Sequence, residues 1–274
     1  MSQGTIVGAY IVPGLPHLTS DKPVESWEGL RRGFRQAGEH TKALRPDALV
    51  IYSTQWISVL GHLFQADPNP KGLHVDDNWY EYGDFPFNLR SDVDLSSKAA
   101  KIGSSLGLAT NTVNYKGFPI DTGTLVALRF LNGDSSIPLS VVSCNIYAGQ
   151  EDSLKLGNAI HQTIVESGKR VVVVAVTGLS GRFFTTEINP QEDRIAKEED
   201  DVWNRRILKL IEEGKSSEVL ALSGEYAKEA GPDMGFKAFA WLMGALGTQS
   251  WPGKVLAYGP VWGSGAAVVE YAKA

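Results

Sequence analysis

Six consecutive apolar residues, Val171 to Val176, follow Arg170 without a polar interruption. Side chains of a strand alternate between its two faces, so a strand of this composition has to be covered on both. That is the pattern of a central strand in a sheet with helices on each side. Shorter β-branched runs repeat it at Thr5 to Val12, Ala48 to Ser53, Pro138 to Ser143, Lys254 to Tyr258 and Ala266 to Tyr271. Helical spacing fills the intervals. Trp27, Leu30, Phe34, Ala37, Thr41 and Leu44 recur at three- and four-residue steps from near Ser26, and Pro46 ends the run because proline cannot continue the hydrogen-bond ladder. Further helical patterns start at Asp94 and at Ser153, run through Glu192 to Glu213, and span Phe236 to Leu246. This alternation predicts an α/β fold, a central mixed β-sheet flanked by helices on both faces.

A length of 274 residues suits one such unit. With no repeat, linker or low-complexity tract, residues 1–274 are expected to form a single domain. One stretch departs from the pattern. Gly61 to Arg90 has no sustained period, yet it carries Trp79, Tyr80, Tyr82, Phe85 and Phe87 among prolines, glycines and acids. It is expected to be irregular, with its aromatic side chains packed on the sheet in preference to forming a ligand lid.

Composition removes several classes of function. The 26 basic and 31 acidic residues give a net charge of -5, the wrong sign for a polyanion partner, so no nucleic acid is expected. No stretch approaches the roughly 18–20 apolar residues that span a bilayer, so no membrane is expected either. The run Ile6 to Val12 lacks a preceding basic region and reads as a first strand, not a signal peptide. Cys144 is the only cysteine, which excludes an internal disulfide and fits a cytoplasmic location.

Ligands of open α/β sheets bind at the ends of strands. Polar residues stand at three such ends: Pro13-Gly14-Leu15-Pro16-His17-Leu18, Ser53-Thr54-Gln55-Trp56 and Thr177-Gly178-Leu179-Ser180-Gly181. Ser180 fails the nucleophile-elbow pattern, because the second glycine of G-x-S-x-G would fall at position 182, which is Arg182. Gly263-Ser264-Gly265 precedes the last strand and is expected to be a turn, not a dinucleotide loop. The charged run from Glu192 to Arg206 pairs Asp201 with Arg205 at helical spacing, as a solvated or interface helix does. Of the five histidines, His17, His40, His62, His74 and His161, only His17 falls convincingly at a strand end. A non-heme Fe(II) site takes two imidazoles and a carboxylate on one face of the metal, and one imidazole does not make it.

On these segments the chain resembles the class III extradiol ring-cleavage dioxygenases, over nearly its whole length. The resemblance is strongest to the two related chains of the enzymes that cleave 2-aminophenol. In their iron-bearing chain the first strand leads into P-H-P-P-H-L, the second into H-W-I, and a late helix opens with the carboxylate ligand. Here the matching stretches are Pro13-Gly14-Leu15-Pro16-His17-Leu18, Gln55-Trp56-Ile57 and Asp233-Met234-Gly235. By that resemblance the two ligand histidines have become Gly14 and Gln55, the carboxylate is Asp233, and the acid/base histidine has become Gly181. His17 matches a histidine that does not bind iron. Other stretches are similar to the non-catalytic chain, among them His74-Val75-Asp76, Asn78-Trp79-Tyr80-Glu81, Gly117 to Thr124 with Asp121, and Glu192-Asp193-Arg194-Ile195-Ala196.

The resemblance implies a vestigial pocket formed by Gly14, His17, Gln55, Asp121, Gly181 and Asp233, with no catalytic residue and no metal in this chain. It further implies an iron-bearing homologous partner, two chains of each kind in a heterotetramer, and Fe(II) with O2 acting in that partner on 2-aminophenol-type rings. Two rival readings stand beside it. One is a self-sufficient metalloenzyme in which His17 and Asp233 join His62 or His74. The other is a non-catalytic protein that binds a small aromatic molecule through the same pocket.

Overall fold

A computed structural model describes residues 3–181, 187–247 and 251–272. Its centre is the strand β8 (Arg170–Val176), in which Val171 to Val176 are all fully buried. β1 (Thr5–Val12) and β2 (Ala48–Ser58) lie parallel to it on either side. β7 (Leu139–Asn145) runs parallel to β2. β9 (Gly253–Val261) and β10 (Ser264–Tyr271) extend the sheet antiparallel beyond β1, while β3 (His62–Gln65) and β6 (Thr110–Val113) extend it beyond β7. The result is a mixed eight-stranded sheet in the order β6-β3-β7-β2-β8-β1-β10-β9.

Alternation along β8 divides the core in two. Val172, Val174 and Val176 meet Trp27 and Phe34 of α1 (Glu25–Leu44) and Leu125 and Leu128 of α3 (Thr122–Leu131). Val171, Val173 and Ala175 face the opposite cluster. That cluster draws on α2 (Val93–Ser105), α4 (Gln150–Ser167), α5 (Glu198–Glu212), α6 (Ser216–Ala230) and α7 (Lys237–Leu246). Helices on both faces and a mixed sheet are the architecture the apolar runs predict. Among the described residues no helix is long and apolar enough to cross a membrane.

Two expectations are corrected. Gly61 to Arg90 is not irregular throughout: it contains β3 and a two-stranded sheet of β4 (Lys71–His74) and β5 (Phe85–Asn88). Four-residue strands are too short to show a period, although Phe85 and Phe87 are buried while Pro86 and Asn88 are exposed. Tyr82, Phe85 and Phe87 do pack into the core on the α1 and α3 side. The helix expected from Glu192 to Glu213 begins only at Glu198.

The residues before that helix have another task. The Asp193 carboxylate accepts the Trp27 indole N–H at 2.7 Å, the Trp262 N–H at 2.7 Å and the Gly263 N–H at 2.8 Å. It thereby fastens α1 to the β9–β10 turn, where Trp262 (φ 51°) and Gly263 (φ 74°) are left-handed. The hairpin turn is Trp262-Gly263, so only Gly263 of the expected turn lies in it, while Ser264 and Gly265 already pair with Val261 and Pro260 as the start of β10. Asp201 and Arg205 form the expected pair at 2.8 Å. Ser180 is buried, its hydroxyl accepting from Asn204 Nδ2 at 2.8 Å and from the Gly265 N–H at 3.3 Å. Arg182 lies outside the described residues.

Asp193→Ala removes a charged acceptor from three donors and leaves a buried indole N–H unpaired. Urea unfolding is expected to show a loss of roughly 2–3 kcal/mol. Glu151→Ala, which removes only a water-facing contact to Lys155, is expected to leave the midpoint unchanged.

Candidate functional site

Because β1, β2 and β8 are parallel neighbours, their C-terminal ends open onto one edge of the sheet. The β2–β7 register jumps from Ser53 to Ile57, so residues 54 to 56 leave the ladder and Gln55 turns toward that edge. A cavity of about 500 Å³ lies there. Thr54, Gln55, Asp121 and Asp233 line it, and the aromatic segment closes it with His74, Asp76 and Trp79. Of the six residues expected to form a pocket, the structure therefore brings Gln55, Asp121 and Asp233 to the cavity wall.

Gly14 sits directly behind Gln55. A Cβ at position 14 would lie 2.8 Å from Gln55 Nε2, 2.8 Å from the Cα of Gly123 and 2.8 Å from Val176 Cγ1. These contacts are shorter than van der Waals distance, so the volume of a side chain at 14 is already occupied, in part by backbone. Gly181 borders the same region, where a Cβ would lie 4.0 Å from Asp233 Oδ1. Asp121 is the N-cap of α3, accepting the Thr124 N–H at 3.0 Å, the Thr124 hydroxyl at 2.7 Å and the Ser53 hydroxyl at 2.6 Å.

Asp233 is delivered by a strained segment. Met234, Gly235 and Phe236 have φ of 49°, 66° and 62°, and left-handed backbone costs non-glycine residues of order 1–3 kcal/mol each. Packing of the buried Phe236 ring on Phe239 (centroids 5.3 Å apart) and Tyr226 (5.4 Å) opposes that cost. The carboxyl turns inward and accepts the Gly178 N–H at 2.7 Å and the Thr54 hydroxyl at 3.4 Å. Its closeness depends on Gly178, since a Cβ there would meet Asp233 Oδ2 at 3.0 Å. Burial pushes the Asp233 pKa up, against the pull of those two donors.

His17 is elsewhere. It is completely buried in the short 3-10 turn Pro16–Thr19, and neither ring nitrogen has a hydrogen-bond partner. Four aromatic rings surround it: Trp27 at 5.2 Å, Trp79 at 4.8 Å, Tyr82 at 4.1 Å and Trp262 at 5.2 Å between centroids. Burial pulls its pKa down to about 3, with Asp76 pushing the other way. Arg31, itself buried, fixes the turn by donating to the carbonyls of His17, Leu18, Ser20 and Lys22.

One polar group in the cavity wall escapes the sequence reading. Thr122 donates its hydroxyl to Asp76 Oδ2 at 2.5 Å, and His74 Nε2 lies 2.7 Å from Thr122 Oγ1. With the hydroxyl proton given to Asp76, His74 is the donor to Thr122. The sequence carries a signal for it, the H-x-D triplet His74-Val75-Asp76. His62 is buried on β3, with Nδ1 3.2 Å from the Ser143 carbonyl.

These groups do not suit an Fe(II) centre. Gly14 and Gly181 bring no donor atom and Gln55 brings a neutral amide, which leaves the single carboxylate of Asp233, whose Oδ2 already accepts from Gly178 and Thr54. Among the described residues, no three His, Cys, Asp or Glu side chains converge on a common point suited to a metal.

Comparison with known proteins places this geometry. Residues 11–269 match the family described as the catalytic LigB subunit of aromatic ring-opening dioxygenase. The chain is 43% identical over 270 residues to a Pseudomonas 2-aminophenol 1,6-dioxygenase alpha subunit, covering 97% of this chain and 99% of the relative. It is 31% identical over 291 residues to a Pseudomonas 2-aminophenol 1,6-dioxygenase beta subunit, covering 99% and 95%. An uncharacterized protein of Escherichia coli K12 shares the fold, with a TM-score of 0.68 at 14% identity, covering 96% of this chain and 99% of that one.

Two outcomes follow from the packing. Gly14→Ala is expected to destabilise the fold by roughly 1–3 kcal/mol through overpacking, while Gly29→Ala in α1, where a Cβ meets nothing within 4 Å, is expected to stabilise it by roughly 0.5–1 kcal/mol. Thermal unfolding of both variants distinguishes them. His17 is held neutral, so its contribution is present above the unfolded histidine value near 6.5. That contribution is lost as pH falls toward about 3, where the unfolded chain binds the extra proton. Unfolding measured from pH 7 to pH 4 is expected to show a slope of up to about 1.4 kcal/mol per pH unit from this group, and His17→Phe is expected to remove it.

Proposed function

The chain belongs to the aromatic ring-opening dioxygenase family. On that premise we propose that it is the metal-free, alpha-type subunit of a heteromeric extradiol dioxygenase of the 2-aminophenol 1,6-dioxygenase kind. The catalytic chain of the assembly is a homologous partner, which holds Fe(II) and opens 2-aminophenol-type rings with O2. Two chains of each kind make up the heterotetramer, and the single buried thiol, Cys144, supports a cytoplasmic assembly.

The observation that carries this reading is the interlock at Gly14. A ligand side chain at that position has no volume to enter, because Gln55, Gly123 and Val176 already fill it. The similarity to both named subunits over nearly the whole chain supports a partner of the same fold. In this reading the residues at the old site hold backbone: Asp233 anchors the β8 turn through Gly178 and Asp121 caps α3.

Bound iron and ring opening are to be measured for the chain purified anaerobically with Fe(II) supplied, alone and after co-expression with its iron-binding homologue. Alone it is expected to hold well under one iron per chain and to leave 2-aminophenol intact; the co-expressed complex is expected to hold iron and turn it over. Stoichiometric iron with turnover in the lone chain would return the site to this subunit and favour the self-sufficient metalloenzyme.

A further inference from the structure

A water-facing rim of large apolar side chains stands at the ends of β2 and β7. The backbone brings its parts together, since Ser58 pairs with Asn145 across the ladder and the Ile146 N–H donates to the Ser58 carbonyl at 2.9 Å. On one side of that junction Ile57, Val59 and Leu60 are 51%, 57% and 82% exposed; on the other, Ile146 and Tyr147 are 44% and 81% exposed. Single exposed apolar residues are ordinary, but five adjoining across two paired strand ends are not.

The two segments that carry the rim contain no charged residue of their own, and among the described residues the one ammonium that reaches their backbone is that of Lys237. Neither residues 54–66 nor residues 135–150 contain an Asp, Glu, Lys or Arg, in a chain of which 21% is charged. Depletion of charge around exposed aromatic and aliphatic side chains is the composition of an interface centre.

Both loops are also fixed before any partner arrives. The Ser58 hydroxyl donates to the Gly61 carbonyl at 2.7 Å, closing the turn that carries Val59 and Leu60. Asn145 Oδ1 accepts the Tyr147 N–H at 2.8 Å, and Lys237 Nζ donates to the carbonyls of Asn145 at 3.2 Å and Ile146 at 2.9 Å. Polar groups of the rim are thus satisfied inward while the apolar ones project, so docking orders little that is not already ordered.

Resting on the subunit reading above, we propose that this rim is the docking surface for the homologous iron-bearing chain, with Leu60 and Tyr147 as its anchors. A stable pair of chains buries about 800 Å² on each side, and these five side chains supply the dry centre of such a contact. The occupant is a fold-related chain because the two named relatives, alpha and beta subunits of one enzyme, both match this chain almost end to end.

Leu60→Glu combined with Tyr147→Asp tests it, since side chains more than four-fifths exposed can change without disturbing the core. Val202→Glu on α5, where the residue is 60% exposed, is the control, and thermal midpoints verify that each variant folds. Each chain is co-expressed with the iron-binding homologue from the same cell, and complexes are sized by chromatography with light scattering. Wild type and Val202→Glu are expected to elute as mixed complexes, and the double variant as a folded lone chain with its apparent Kd raised at least about tenfold. Wild-type pairing by the double variant would overturn the assignment of this surface. Failure of the wild-type chain to pair with the iron-binding homologue would instead sink the subunit reading, and this inference with it. A wild-type homodimer broken by the same two substitutions would give the rim to a second copy of this chain and refute the assignment to its homologue.

Discussion

Burial of Val171 to Val176 on both faces of the sheet is the constraint from which the rest of the molecule follows. A strand that offers water neither face needs a helix layer above and below, and here the two layers meet alternate side chains of the same six residues. Its neighbours β1 and β2 are both parallel to it, and parallel strands can be joined only by crossovers. All three chains therefore turn at the same edge. The cavity exists where it does because the Val run is uninterrupted.

Several side chains that look chemically ambitious are fasteners on that frame. Ser180 shares its hydroxyl with Asn204, whose carbonyl oxygen also accepts the Ser180 N–H at 3.0 Å and the Tyr226 hydroxyl at 2.6 Å. A Cβ at Gly265 would lie 2.2 Å from Asn204 Nδ2, so the hairpin and α5 are keyed to each other through one amide. Asp193 and Arg31 work in the same way, each gathering three or more backbone or ring partners at a place where the chain changes direction. Buried polar groups must be paired, and in this fold pairing them fixes the loops around the cavity.

The sheet, its two covers and the main helices were legible because their periods run long enough to be counted. What was hidden was short or wholly buried. α3 is apolar on nearly every side, so it has no amphipathic stripe to read, and β3 to β5 have four residues each. His17 reads from its neighbours as a residue at the mouth of a strand, yet it lies in a closed aromatic cage. The rings that close it come from positions 27, 79, 82 and 262, and that convergence belongs to topology. The positions of Gln55 and Asp233 at the cavity were legible from motif order alone. The filling of the space at Gly14 was not, because it depends on the Cα of Gly123, a residue of a helix that the sequence concealed.

That filled space limits what engineering can add. With Gln55, Val176 and the backbone of α3 all within 2.8–3.0 Å of the Cβ positions of Gly14 and Gly123, an imidazole at position 14 does not fit while α3 stays in place. The larger side chain would need room that α3 now takes, and retreat of α3 would open the packing beneath it. Any redesign that wants a side chain at position 14 must therefore begin with α3, because the packing around that position, and not the residue chosen for it, holds it shut.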